Sequence, residues 1–297
     1  MRINLNIGLS LIFSSLILVI SSCSGVRNAM YPYKQHSNDS IINDPIVMDY
    51  NHPSPNQNQR ISHLVMHYTV ADLQESLEIL TDPLRSLRVS AHYLVPKTAI
   101  DNQRKVFNLV PNEKSAWHAG VSGWGKHITL NNTSIGIEIV NSGLSDQPNL
   151  GNLEKWEPFT DYQMETVISL SQQIVQKYNI TPTNVVGHSD VALPYGRKQD
   201  PGPAFDWEKL YKNGIGAFYD RSELNINEQT NIDIEQLQHD LHMYGYRGVS
   251  KTGFLDEHTR GAIRSFQMHF RPSNYSGEPD SETVAILKNL LEKYHNN

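Results

Sequence analysis

Residues 61–67, Ile-Ser-His-Leu-Val-Met-His, form a short apolar run that ends in His67. A run of this length and composition predicts a buried strand with the histidine at its exit. Residues 184–187, Asn-Val-Val-Gly, predict another strand, and it leads in the same way into His188. Residues 135–140 predict a third strand, apolar except for Glu138. Strands interspersed with helices are typical of an α/β fold, so we expect a mixed β-sheet flanked by helices.

The predicted helices are marked by capping residues and by apolar side chains at helical spacing. Residues 160–163, Thr-Asp-Tyr-Gln, have the form of a capping box and open a helix that ends near Asn179. Thr69 or Asp72 caps a shorter helix that runs through Leu80. Further strands are predicted over residues 89–95 and 106–110.

The pattern changes near residue 229, where three short amphipathic helices follow one another. Asp256 and Asp280 stand at N-cap positions of the last two. We therefore predict a small three-helix bundle behind the α/β domain. The expected segments are a signal peptide at 1–22, a tether at 23–55, the α/β domain at 56–224, a linker at 225–230 and the bundle at 231–297.

The N-terminal segment has the pattern of an export signal. Arg2 precedes an apolar stretch over residues 7–20, which is short for a membrane span, and small residues lead into Cys23. This arrangement resembles the lipobox of bacterial lipoproteins, which implies lipidation of Cys23 and a membrane anchor. Ser24 rather than an aspartate follows, and by the same resemblance this favours the outer membrane, facing the periplasm. The alternative is an ordinary secretory signal with an incidental cysteine.

Charge argues against nucleic acid as a partner. The net charge is -6 and the chain has no block of basic residues, whereas nucleic-acid-binding proteins concentrate lysine and arginine. Nothing in the sequence indicates an oligomer, so we expect a monomer.

His67, His188 and Asp200 form a candidate metal site. Imidazole and carboxylate are good zinc ligands, and a catalytic zinc takes three protein ligands and a water. The spacing is not a local zinc signature, and with 13 histidines in the chain a given pair is more often structural. Asp190, two residues after His188, is a rival third ligand.

Six motifs in order add a resemblance: residues 67–69 (HYT), 91–95 (AHYLV), 116–120 (AWHAG), 134–138 (SIGIE), 187–190 (GHSD) and 196–203 (GRKQDPGP). The series resembles the zinc amidase_2 family of N-acetylmuramoyl-L-alanine amidases, over roughly residues 45–210. Positions within 237–267 resemble a three-helix peptidoglycan-binding repeat. The resemblance implies a catalytic domain at 56–224 and a wall-binding domain at 231–297.

By position, the resemblance implies one zinc ion per chain, held by His67, His188 and Asp200. Glu138 matches the catalytic carboxylate, and Lys198 the cation that stabilises the oxyanion. Asp200 is preferred over Asp190 because it follows Lys198 by two residues, as in the family motif. Residues 192–196 are about two residues longer than the family pattern, which affects the placement of Lys198.

Four further residues are predicted to contact substrate: His92, Trp117, His118 and Arg197. The two histidines either face the cleft or are satisfied by hydrogen bonds in the core. Trp117 either lines the cleft wall or packs in the core. Arg197 would meet a carboxylate of a stem peptide.

The activity implied is hydrolysis of the amide between N-acetylmuramic acid and L-alanine, in peptidoglycan and muropeptides, for turnover or recycling of the cell wall. One alternative is a non-catalytic peptidoglycan-recognition protein, since relatives with a similar fold have lost the metal. Another is a hydrolase that cuts within the stem peptide.

Overall fold

The computed structural model describes residues 47–57, 59–145, 153, 155–226 and 231–295. The chain divides into two units, residues 1–55 and 56–297. Within the first unit, residues 47–55 are exposed and contain no helix or strand. The predicted signal peptide and Cys23 lie outside the described residues, as does most of the predicted linker. Within the described ranges, no helix combines the length and apolar character that a membrane crossing needs.

The second unit is built on a five-stranded sheet with a separate two-stranded hairpin. The strands are β1 (His63–Tyr68), β2 (Tyr93–Val95), β3 (Phe107–Asn108), β4 (Gly123–Trp124), β5 (His127–Ile128), β6 (Ser134–Ile139) and β7 (Val185–Gly187). The sheet order is β3-β2-β6-β1-β7, parallel except for β3, and β4 pairs with β5. The mixed sheet predicted from the sequence is confirmed, although β2 and β3 are shorter than expected.

Strand register places the predicted site residues at one edge of the sheet. β1 and β6 run parallel with His67 opposite Glu138. β7 lies on the other side of β1 with Gly187 opposite Met66, so His188 leaves the sheet level with His67. Parallel strands that are covered on both faces consist of continuous apolar runs, and for this reason the strands could be predicted from the sequence.

Seven helices are described: α1 (Leu73–Thr81), α2 (Asp161–Tyr178), α3 (His188–Val191), α4 (Trp207–Lys212), α5 (Ile234–Tyr244), α6 (Glu257–Phe270) and α7 (Ser281–His295). Asp72, not Thr69, caps α1, because its side chain accepts from the Glu75 amide. The predicted capping box opens α2: Thr160 Oγ1 accepts from the Gln163 amide at 3.1 Å, and Gln163 Oε1 accepts from the Thr160 amide at 3.1 Å. The sequence did not predict α3 and α4, which are too short to show a helical period.

The larger of two apolar clusters contains residues of both the sheet and the C-terminal helices. Residues such as Leu64 and Ile137 of the sheet belong to the same buried cluster as Leu241, Phe266 and Ile286 of the last three helices. Trp124 of the hairpin packs edge-on against Tyr246, with ring centroids 5.0 Å apart. The C-terminal helices are therefore packed against the α/β domain, where α6 contacts α3 and α4, rather than separated from it.

Removing the N-cap of α2 tests how much the capping hydrogen bond contributes to the stability of the protein. Thr160→Ala should lower the free energy of unfolding by about 1 kcal/mol, because the Gln163 amide loses its side-chain acceptor. Thr160→Ser keeps the hydroxyl and should stay close to the wild type. Urea unfolding of both variants measures the difference, and equal midpoints for the two would contradict the capping assignment.

Candidate metal and catalytic site

Three side chains from separate segments converge at the carboxyl edge of the sheet. His67 is the penultimate residue of β1, His188 opens α3 directly after β7, and Asp200 lies in the following loop. Nδ1 of His67 lies 3.1 Å from Nδ1 of His188, and Oδ2 of Asp200 lies 2.9 Å from each of them. All three residues are buried. The backbone links the last two as well, because the Ser189 amide donates to the Asp200 carbonyl at 2.9 Å.

The outer nitrogen of each histidine is held by a hydrogen bond. Nε2 of His188 lies 3.2 Å from the carbonyl of Ala119, which can only accept. Nε2 of His67 lies 2.9 Å from Nδ1 of His118, whose own Nε2 lies 3.0 Å from the Ser134 hydroxyl. Donation outward along both paths leaves each Nδ1 as a lone-pair donor facing the centre of the triad.

The arrangement of His118 explains a glycine in the neighbouring strand. A Cβ at Gly136 would lie 2.5 Å from the His118 ring, closer than any side chain tolerates. The glycine therefore lets His118 lie against β6 and reach His67. The Ser134 hydroxyl completes the path by donating to the Leu130 carbonyl at 2.5 Å.

The donor set fits a zinc ion. Two neutral imidazoles and a carboxylate are ligands that zinc prefers, and a catalytic site uses three of them. Bond lengths of about 2.0–2.2 Å in tetrahedral geometry require donor atoms roughly 3.4 Å apart. The three atoms form a triangle slightly tighter than that, and they are the one group of at least three such residues in the described part of the chain. Burial, followed by the nearby His188, lowers the pKa of His67 to about 4, so its imidazole is neutral at pH 7.

Glu138 lies beside the triad without a partner for one of its oxygens. Its Oε2 is buried and makes no hydrogen bond. Burial raises the pKa of Glu138 well above its usual range, and the charge of Asp200 raises it further, whereas Lys198 opposes the rise. A carboxyl group tuned in this way is suited to accepting and returning a proton.

A cleft of about 480 Å³ opens onto these residues. Its lining includes Glu138, His188 and Asp200 together with Lys198 and Arg197. The Lys198 side chain is exposed at the cleft. The Arg197 guanidinium is held by two backbone carbonyls, those of Leu193 at 3.1 Å and Val121 at 3.0 Å.

The four predicted substrate contacts occupy different environments. Trp117 lines the cleft and is 51 % exposed, and His118 lines it from behind His67. His92 does not line the cleft: it is fully buried, its Nδ1 accepts from the Gly136 amide, and its Nε2 donates to the Lys114 carbonyl. Tyr68 and Leu144, which were not among the predicted substrate contacts, also line the cleft.

Asp190, the rival third ligand, faces away from the triad. Its carboxylate accepts from the Tyr246 hydroxyl at 2.7 Å, from Nδ1 of His269 at 2.8 Å and from the Gly187 amide at 2.8 Å. Two of these partners, Tyr246 and His269, belong to the C-terminal helical region, and the three donors together engage both carboxylate oxygens. Asp200 therefore supplies the carboxylate of the triad.

Comparison with known proteins places two family models on the chain. Residues 57–203 match the Amidase_2 family, described as N-acetylmuramoyl-L-alanine amidase. Residues 230–287 match a family described as a peptidoglycan binding domain. Both matches agree with the resemblances seen in the sequence.

Individual relatives cover most of the chain. It is 42% identical over 242 residues to the N-acetylmuramoyl-L-alanine amidase AmiD of Escherichia coli K12. The matched region spans 79% of this chain and 84% of that protein. The structure of E. coli AmiD in complex with anhydro-N-acetylmuramic acid-L-Ala-D-gamma-Glu-L-Lys matches with a TM-score of 0.75 at 39% identity, over 84% of this chain and 96% of that one.

AmpDh3 from Pseudomonas aeruginosa, in complex with anhydromuramic pentapeptide, matches with a TM-score of 0.70 at 38% identity, over 84% of this chain and 99% of that one. The similarity thus covers most of the chain. The chain belongs to the Amidase_2 family of N-acetylmuramoyl-L-alanine amidases.

Proposed function

We propose that this protein is a zinc-dependent N-acetylmuramoyl-L-alanine amidase that hydrolyses the amide between N-acetylmuramic acid and L-alanine in peptidoglycan and muropeptides. The observation that carries the proposal is the buried His67–His188–Asp200 triad with Glu138 beside it in one cleft. The relatives named as amidases and solved with muramic peptides support the choice of substrate.

His67, His188 and Asp200 would hold one zinc ion through two Nδ1 atoms and Oδ2. Bound there, zinc would supply Lewis-acid activation of the amide carbonyl and of water. The protein's own contribution is the fixed orientation of the donors. His118 and Ala119 hold the outer nitrogens of the two histidines, which keeps both rings in the ligating tautomer.

Glu138 is the proposed general base and acid. It takes a proton from the attacking water and returns it to the amine of L-alanine as the C–N bond breaks. Its raised pKa suits this exchange, because the carboxyl group holds the proton until the amine leaves. Lys198, exposed in the same cleft, stabilises the negative charge that develops on the carbonyl oxygen.

We also assign the protein to the cell envelope through its substrate, and propose anchoring in the outer membrane through lipidated Cys23. The apolar stretch over residues 7–20 and the small residues before Cys23 support this assignment. Two or more acyl chains anchor a protein durably where one chain does not. Residues 23–55 would be the tether, and residues 231–297 would hold the enzyme on its polymeric substrate and raise its local concentration.

Product analysis tests the reaction. The full chain, purified in detergent, should release peptides with an N-terminal L-alanine from purified peptidoglycan and from a soluble muropeptide. A chelator should abolish the release and added zinc should restore it. Mass spectrometry identifies the products. Cleavage within the stem peptide would contradict the proposed position of the cut.

Replacement of one ligand separates an enzyme from a recognition protein. Asp200→Asn should weaken zinc binding and lower turnover at least about 10³-fold, because an amide is a poor zinc ligand and leaves the charge of the site unbalanced. Binding to sedimented peptidoglycan should persist. Metal content, turnover and co-sedimentation are measured together, and full activity of the variant would refute the ligand assignment.

Glu138→Gln tests the proton transfer separately from the metal. The amide cannot accept the proton, so kcat should fall about 10²- to 10⁴-fold with zinc content unchanged. Glu165→Gln, at an exposed position of α2, is the matched control and should keep wild-type kcat. Zinc loss from the Glu138 variant would instead indicate a role in holding the metal.

A further inference from the structure

We propose that the C-terminal helical domain, residues 231–297, positions the segment that carries His188 and Lys198, through Asp190 and Tyr195, and so forms part of the catalytic apparatus as well as a wall-binding domain. The inference rests on the proposed function, because it assigns a consequence for zinc binding and turnover. Two independent sets of contacts carry it.

The first set of contacts is centred on Asp190, two residues after the proposed ligand His188. This carboxylate is 1 % exposed and lies within α3. Its Oδ2 accepts from the Gly187 amide at the start of α3, which fixes the turn that presents His188. The other two donors belong to the helical domain, the Tyr246 hydroxyl and His269 Nδ1.

Because the Asp190 carboxylate is buried, loss of its hydrogen bonds to Tyr246 or His269 would not be compensated by water. A buried carboxylate that loses a donor carries an uncompensated desolvation cost, so the surrounding turn relaxes toward water or another partner. His269 is itself fixed by stacking on Trp207, with ring centroids 3.8 Å apart and planes 13° from parallel. The orientation of the α3 turn therefore depends on residues that the helical domain supplies.

The second set holds the loop before Lys198. The Tyr195 hydroxyl accepts from the Gly248 amide at 3.2 Å, and its ring lies 4.9 Å from that of His258. The Tyr195 backbone lies directly against α6 at Gly261, where an added Cβ would come within 2.7 Å of the Tyr195 carbonyl carbon and oxygen.

This loop is the stretch that the sequence analysis expects to be longer than the family pattern. Residues 192–196 lie against the helical domain, and Arg197 and Lys198 follow directly into the cleft. Tyr195 and Gly196 of this loop therefore provide a contact surface for α6. Since Ser189 and Asp200 are joined by a backbone hydrogen bond, both ends of the segment are fixed and the helical domain supports its middle.

The test uses the full chain with a soluble N-acetylmuramoyl tripeptide, so that attachment to the wall does not contribute. Tyr246→Phe removes only the hydroxyl that bonds Asp190. It should lower kcat about tenfold and weaken zinc affinity about tenfold in competition with a chelator, the range found when supports of a ligand are removed. KM should stay within twofold, since ground-state binding is not altered.

Tyr244→Phe is the matched control. This tyrosine is equally buried in the same domain, but its hydroxyl makes no hydrogen bond to Asp190. Gly261→Ala is the second variant: its methyl group displaces the Tyr195 backbone, so kcat should fall about tenfold. At a helix position with room for the methyl group, a change from glycine to alanine would instead stabilise the helix. Thermal unfolding and co-sedimentation with peptidoglycan are recorded for every variant.

Wild-type kcat and zinc affinity in both Tyr246→Phe and Gly261→Ala would overturn the proposal. Equal losses of kcat and zinc affinity in Tyr246→Phe and Tyr244→Phe would also overturn it, because such losses would reflect a general decrease in stability rather than the bond to Asp190. An inactive wild-type protein would refute the amidase assignment instead. Even then, the zinc affinities of Tyr246→Phe and Tyr244→Phe would decide the positioning role by themselves.

Discussion

The site depends on the parallel alignment of three neighbouring strands of the sheet, β6, β1 and the edge strand β7. Parallel strands present their carboxyl ends at the same edge, so three segments far apart in sequence deliver His188, His67 and Glu138 to one place. Ligands of α/β proteins bind at that edge for the same reason. Hydrogen bonds then orient the two imidazole rings, because Nε2 of His67 is held by His118 and Nε2 of His188 by the Ala119 carbonyl.

Two carboxylates in one cleft have opposite chemistry because their neighbours differ. Burial alone would raise the pKa of Asp200, but the adjacent His188 and His67 imidazoles outweigh burial and hold its pKa below the usual range. Burial of the Glu138 carboxyl group, followed by the charge of Asp200, raises the pKa of Glu138, and its Oε2 has no hydrogen-bond partner. This difference in environment supports the proposed roles of Asp200 as a metal ligand and of Glu138 in proton transfer.

The sequence predicted the central strands, the capping box of α2 and the last three helices, because local periodicity and capping chemistry specify them. It also indicated the triad, through residues at strand exits together with the family resemblance. It could not predict that His118 lies behind His67, or that both nitrogens of His92 are used in the core, since these contacts join residues many positions apart. The partners of Asp190 illustrate this limit: 56 and 79 residues separate it from Tyr246 and His269.

That separation has a consequence for the order in which the molecule is completed. A chain made from its N-terminus has produced β1, β6, β7 and the whole triad before His269 exists. The Asp190 carboxylate then lacks two of its three donors until the final helices arrive. Domains generally fold as units during synthesis, N-terminal first, and long-range contacts form late. The C-terminal helices emerge after the triad and close the structure around His188, and a chain truncated before α6 would retain every proposed ligand but lack the His269 and Gly261 contacts to this segment.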